Sequence, residues 1–295
     1  MSYLCNEIPK DRYTFMKQAL LFILSFLALQ LSAQEPTASS FQGKVKSVEE
    51  HSFKAKSHRG EIMKGRPAHE FNWQYDYIMK YDSIGLPQER IWLNAKGKPT
   101  RITSYVYDNK RMLQEENTVD GKGKPATSFK YDNEYNAQGF IIKRILTANT
   151  LSSTATFIYS RDAKGNIYES RVIAEGTPGQ MIDSRKFDSA WHCTRQWVYT
   201  NGWKVQSYYD LTYDEKGRLS EQTVYSPDNK VLLLYRWKYD ENNHLIRHEI
   251  CSANSSSCEA WTYKDEYDKM GNSIRRVEYR NGKPVYVVER TFTYY

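Results

Sequence analysis

The sequence predicts an all-β protein: a long antiparallel meander of repeated β-hairpins, about 16–18 strands, forming a curled open sheet or a partial shell. Three observations carry this. The string YDEKGRL at Tyr213 recurs in variants at Tyr81, Tyr107, Tyr135, Tyr239 and Tyr267. The copies are spaced by 26 to 28 residues, with the degenerate strings RDAKGNI at Arg161 and FDSAWHC at Phe187 in register and Tyr294 in the last slot. A period of this length over most of a chain marks an array of supersecondary units. Between turns the residues alternate: in VLLLYRWKY, Val231, Leu233, Tyr235, Trp237 and Tyr239 share one face, and Leu232, Leu234, Arg236 and Lys238 the other.

At the N-terminus, MKQALLFILSFLALQLSAQE from Met16 has a basic residue, an apolar run from Ala19 to Leu31, and Ser32-Ala33-Gln34 at a small-residue cleavage site. This is the pattern of a secretory signal peptide, so residues 1–33 read as a leader, and Met1 to Phe15 as an upstream start that need not be used. The apolar run is short for a membrane span, no cysteine follows it to carry a lipid anchor, and no transmembrane helix remains after its removal. The expected address is secreted, periplasmic or on the outer cell surface. Residues 34–74 supply two N-terminal capping strands around a longer loop near Ser57 to Arg66, and residues 75–295 form the repeat domain.

Each repeat reads as strand, turn, strand, turn. Asp82, Asp214, Asp240 and Asp268 can accept hydrogen bonds from backbone N–H groups two residues on, which holds a tight turn. Gly85, Gly217 and Gly271 sit where a left-handed conformation closes the loop without a Cβ penalty, and Asn243 suits the same place. Arg111 breaks the rule, which predicts a one-residue shift in that loop. Half a period later comes a second turn, as in AKGKP at Ala95, GKGKP at Gly121, SPDN at Ser226 and RNGKP at Arg280. Tyr77, Tyr131, Tyr209, Tyr235 and Tyr263 fall four residues before their turns, so an in-register meander stacks them as a ladder on every second strand, about 10 Å apart. Twist accumulating over so many strands predicts coiling in place of a flat ribbon.

YDEKGRL and its relatives resemble the YD repeats of the RHS family, whose consensus is a Tyr-Asp turn, then Gly-Arg-Leu and an aromatic strand. The resemblance covers about Tyr75 to Tyr295, and Tyr213 to Leu219 fits the consensus fully. It implies β-hairpin arrays, a secreted or surface setting in bacteria and, in large members, a hollow shell around a toxin. The longer period, the small size and the lack of a C-terminal toxin segment depart from those large members. The family pattern carries no catalytic residues.

The chemistry-bearing residues point to binding more than to catalysis. Lys and Arg exceed Asp and Glu by 42 to 35, a net charge of +7. Spread over many strands this is a solvated surface, and no basic run resembles a nucleic-acid-binding arm, so no nucleic acid partner is expected. Cys251 and Cys258 flank SANSSS at a hairpin end and suit a cross-strand disulfide, or two free thiols packed as small hydrophobes. Cys193 has no partner nearby in sequence. His244 and His248 lie four apart on a strand, too far for one metal, and no metal or other cofactor is expected. There is no nucleophile elbow and no phosphate-cradling glycine loop. Glu89, Glu115, Glu221 and Glu278 suit cross-strand ion pairs better than a glycosidase pair. Trp92, Trp197 and Trp203, and above all Tyr235, Trp237, Trp261 and Tyr263, make an aromatic face that can stack on sugar rings or peptides if it is uncovered, or close a core if it is not. The sequence therefore predicts a secreted or surface β-repeat protein with a non-enzymatic binding or structural role, towards envelope polysaccharide or another surface protein. The alternatives are an outer-membrane β-barrel and a glycan-active enzyme.

Overall fold

The computed structural model describes residues 41–69, 76–148, 151–175, 180–200, 203–253 and 258–295. The leader at residues 1–33, with Cys5, lies outside them. Nineteen strands follow one another: β1 Val45–His58, β2 Glu61–Pro67, β3 Asp76–Tyr81, β4 Pro87–Leu93, β5 Pro99–Tyr107, β6 Leu113–Asp120, β7 Pro125–Tyr135, β8 Ile141–Ala148, β9 Leu151–Arg161 and β10 Ile167–Ala174. The series continues with β11 Gln180–Phe187, β12 Cys193–Thr200, β13 Lys204–Tyr213, β14 Leu219–Tyr225, β15 Val231–Tyr239, β16 Leu245–Ser252, β17 Cys258–Tyr267, β18 Ser273–Arg280 and β19 Lys283–Tyr294.

The Tyr-Asp strings form one kind of hairpin turn. At Asp82, Oδ1 accepts from the N–H groups of Ile84 and Leu86, Gly85 N–H donates to the Asp82 carbonyl, and Asp82 N–H donates to Leu86 O. That is a tight turn followed by a left-handed residue and a bulge, whose twist suits antiparallel strands. The same bonds to Oδ1 recur at Asp108, Asn136, Asp162, Asp188, Asp214, Asp240 and Asp268. At the opposite end, Asn94 and Asp120 build the identical turn. Arg111 causes no shift: it occupies the left-handed position itself at φ 63°, as Trp191 does at φ 68° and Asn243 at φ 69°. The Asp108 side-chain bonds hold the loop in register, so the arginine takes the strain that glycine avoids.

The sheet is closed. β3 to β19 pair consecutively and antiparallel, and β1 pairs with β19 along one edge and with β3 along the other. This makes an 18-stranded barrel, with β2 paired only to the far half of β1. The expectation of an open sheet or partial shell is corrected in this respect. Its physical cause is the bulge at almost every turn, for example between Lys80 and Tyr81 or between Thr212 and Tyr213. Each bulge staggers the register, and accumulated stagger tilts the strands until the ends meet. β1 has 14 residues, enough for Val45 to Lys54 to pair with β19 while Phe53 to His58 pair with β2. The same stagger corrects the tyrosine ladder. Tyr209 faces Val224 and Val224 faces Leu233, which places Tyr235 two residues further along β15, so the rings climb as a staircase.

Alternation gives two walls. On β3, Tyr77, Met79 and Tyr81 are buried and face one way, while Lys80 is exposed on the other side. Following the registers round the ring, the buried side includes Leu146, Ala155 and Val172 on β8 to β10 and returns through Val288 to Val48. This is the inner wall. Its two apolar clusters centre on Tyr131 with Leu146, and on Met79 with Val48. The outer wall carries cross-strand ion pairs: Lys80–Glu89 at 2.6 Å, Arg195–Asp210 at 2.5 Å and Arg236–Glu221 at 3.0 Å.

Candidate functional site

The inner wall of β15 to β17 concentrates aromatic rings. Odd positions of β15 face inwards, which places Tyr235 and Trp237 side by side with ring centroids 5.9 Å apart and 13° between planes. Antiparallel pairing sets His248 of β16 opposite Trp237, and Trp261 of β17 opposite His248. The His248 imidazole lies nearly parallel to both rings, 5.5 Å from Trp237 at 4° and 6.1 Å from Tyr235 at 10°, so the three centroids make a near-equilateral triangle. Trp261 in turn stacks on Tyr286 of β19 at 6.3 Å and 4°, and its Nε1 donates to Glu259. Burial lowers the His248 pKa, with the Glu259 charge opposing, and its buried Nε2 makes no hydrogen bond. An imidazole among near-parallel rings offers a stacking surface with one polar atom to spare.

Tyr263, two residues beyond Trp261, opens onto an ionic cluster at the closing seam. It faces Glu278 across β17 and β18. Burial raises the Glu278 carboxyl above the ordinary range, with Arg276 and Arg290 opposing. Burial and the Glu278 charge push the Tyr263 phenol up to about 12. Arg276 pairs with Asp265 at 2.8 Å, and Arg290 of β19 with Glu50 of β1 at 2.7 Å. Tyr77 of β3 donates to Glu50 at 3.3 Å. The seam is thus tied by charge-assisted bonds across β19, β1 and β3.

The remaining residues singled out in the sequence fall elsewhere. Trp92 is on the inner wall under Arg90 and Arg101, whereas Trp197 is outside and Trp203 is exposed at a strand end. Cys251 and Cys258 are register partners joined by a disulfide. Cys193 is a free thiol, and burial pushes its pKa up to about 11. His244 sits at a turn against Asp240 and stacks on Tyr267 at 4.3 Å, away from His248. Among the described residues no group of three or more His, Cys, Asp or Glu is arranged to hold a metal. Glu89 and Glu221 are taken by ion pairs on the outer wall and Glu115 by Asn117, which leaves Glu278 alone of the four on the inner wall.

Two features escape sequence reading. His248 is an inner-wall ring because even positions of β16 face odd positions of β15, a parity fixed by the bulge at Tyr239. The other is a cluster outside the barrel: His51 bridges Glu49 at 2.8 Å and Asp76 at 2.9 Å, and His69 lies 3.1 Å from the same Asp76. Its members come from three separate stretches, and only the pairing of β1 with β3 joins them.

No family profile matches the chain, and no curated protein matches it in sequence. Among solved structures it is similar to a porin-like protein from Bacteroides uniformis, at 12% identity and a TM-score of 0.41, covering 85% of this chain and 99% of that one. A porin-like protein from Bacteroides vulgatus gives 10% identity and a TM-score of 0.35 over 85% of this chain and 99% of that one. The Photorhabdus luminescens Tc holotoxin pore gives 12% and 0.28 over 74% of this chain, which spans 20% of that longer one. At such values the functional reading rests on the chain's own geometry.

Proposed function

We propose that this chain is a β-barrel of the bacterial cell envelope, non-enzymatic, whose inner aromatic wall binds a ring-bearing polar ligand such as a segment of envelope polysaccharide. The carrying observation is closure. Pairing of β1 with β19 turns the aromatic face into the lining of a barrel. This favours the barrel class over an open binding sheet, and the stacked run Tyr235, Trp237, His248 becomes a wall that a flat sugar face can lie against. An extracytoplasmic address is supported by the leader pattern and by the Cys251–Cys258 disulfide, a bond that persists in oxidising compartments. The Tyr-Asp turns support a place beside YD-repeat proteins.

A barrel that itself spans the outer membrane is the second reading, favoured by its closed ring of 18 antiparallel strands. Such a barrel presents to lipid an apolar band about 25 Å tall. Here Lys80, Glu89, Arg195, Asp210, Glu221 and Arg236 stand on the outer wall, while Glu50, Asp265, Arg276 and Arg290 stand on the inner one. Neither wall offers the band, so the proposal sets the barrel beside the membrane. The test is expression without detergent, followed by titration of intrinsic fluorescence with peptidoglycan fragments and envelope polysaccharides. A monodisperse soluble chain with saturable quenching, lost in Trp237→Ala, is expected. A chain that is folded only in detergent or lipid would transfer the conclusion to the spanning barrel.

A further inference from the structure

Three inner arginines that are buried or half-buried have carboxylate partners, while Arg101 and Arg280 are exposed near strand ends and lie over Trp92 and Trp261. Arg185 meets Asp183 at 2.8 Å, Arg276 meets Asp265, and Arg290 meets Glu50. Arg144, on the inner wall of β8, has no acidic partner among the described residues. Its guanidinium lies between the rings of Tyr131 at 5.5 Å and Phe157 at 5.8 Å, and its Nε donates to Asn133 Oδ1 at 2.7 Å. That bond leaves the buried Asn133 Nδ2 beside the Tyr135 hydroxyl, without a well-formed hydrogen bond among the described residues. The Tyr135 hydroxyl itself donates to Asp108 at 2.7 Å, and Glu116 on the same wall is engaged by Tyr131. Tyr159 borders the guanidinium on the next strand. The site is therefore rich in donors: the terminal guanidinium nitrogens of Arg144 have no protein acceptor among the described residues, and the Asn133 amide NH2 has the Tyr135 hydroxyl beside it. Burial depresses the Arg144 pKa, and only phenols oppose this. A desolvated guanidinium without a counterion is costly, and an oxyanion offsets that cost with bidentate bonds.

We propose that Arg144 and Asn133, walled by Tyr131, Phe157 and Tyr159, form an oxyanion subsite inside the barrel that holds the carboxylate of an acidic sugar. This deepens the polysaccharide reading and rests on it for the sugar, though not for the anion. The rings on either side of the guanidinium suit the faces of a pyranose, and the planar fork suits a carboxylate in a way a lysine does not.

The test uses the purified chain and two probes. Tetragalacturonate is compared by calorimetry with its methyl ester, which keeps the rings and removes the charge. The acid is expected to bind at least tenfold more tightly than the ester, and Arg144→Gln to abolish that preference. Asn133→Asp places a tethered carboxylate beside Arg144 and is expected to abolish it too, which guards against a misfolded Arg144 variant. Inorganic sulfate at matched ionic strength is the second probe, and is expected to raise the Tm of the wild-type chain more than that of Arg144→Gln. An Arg144-dependent sulfate effect without binding of either oligosaccharide would keep the anion site and remove the polysaccharide reading. Equal binding of acid and ester, or a preference that survives Arg144→Gln and Asn133→Asp, would overturn the proposal.

Discussion

Single residues set the turns, and two of them give sharp expectations. Arg111 adopts a left-handed conformation that costs a side-chain-bearing residue about 1 kcal/mol relative to glycine. Arg111→Gly should therefore stabilise the chain by about 0.5–1 kcal/mol in a denaturant titration, and a loss of stability would mean that the side chain is itself engaged. Gly121 is the converse case, needed for space: a Cβ there would stand 2.2 Å from the Pro99 carbonyl oxygen, a backbone atom that cannot swing aside. Gly121→Ala should cost about 1–3 kcal/mol. The sequence shows glycine at both kinds of place, and the Tyr-Asp period picks out only the first kind. His51 provides a pH signature. Burial opposes its charge, but hydrogen bonds to Asp76 and Glu49 prevail and raise its pKa above 6.5. Its contribution is therefore present in full below the unfolded pKa and fades as pH rises through the folded one. Thermal unfolding across pH 5–8 should show the wild type losing stability on the alkaline side relative to His51→Gln, and parallel curves would remove His51 from the account.

At the scale of the hairpin, local chemistry was the most legible part of the sequence. The Asp or Asn that opens each Tyr-Asp turn, and the Gly or Asn three places on where one stands there, can be read directly, because the turn is satisfied by its own side chain and needs no distant partner; Arg111 in the same place is legible only in the structure. Contacts between successive turns are less visible. His192 stacks on Tyr213 at 4.4 Å, Arg218 lies over Tyr239 at 4.7 Å, and His244 stacks on Tyr267 at 4.3 Å. The residue that follows the left-handed position thus reaches the tyrosine of the next repeat, which links neighbouring units along the rim. Such a link follows from the period of 26 to 28 residues only once the strands are known to be neighbours. The β16–β17 hairpin is held at its far end by the Cys251–Cys258 disulfide, which closes a loop of sequence separation 7. In the loop-entropy view a ring of that size contributes about 2–3 kcal/mol. Replacing both cysteines with serine should lower the unfolding free energy by that order while leaving the fluorescence of Trp237 and Trp261 native. An unchanged midpoint would show the bond to be dispensable.

For the whole molecule, the strand number and the alternation of the walls were readable, whereas closure was not. Closure depends on stagger summed over more than a dozen bulges and on a β1 long enough to serve two neighbours, and no single repeat records that sum. The consequence for the candidate site is large. Tyr235, Trp237, Trp261 and Tyr263 share a face in either case, but only closure gives that face an inside, brings Glu50 to Arg290 and Tyr77, and sets Arg144 within an enclosed wall. The most direct measurement is a disulfide across the seam. Glu49 and Thr291 are register partners on the outer wall, so Glu49→Cys with Thr291→Cys, in a Cys193→Ser background, should oxidise to a bond within one chain, detected by mass spectrometry of the proteolysed monomer. Thiols that remain free, or that join separate chains, would mean that the edges of β1 and β19 do not meet and that the sheet is open.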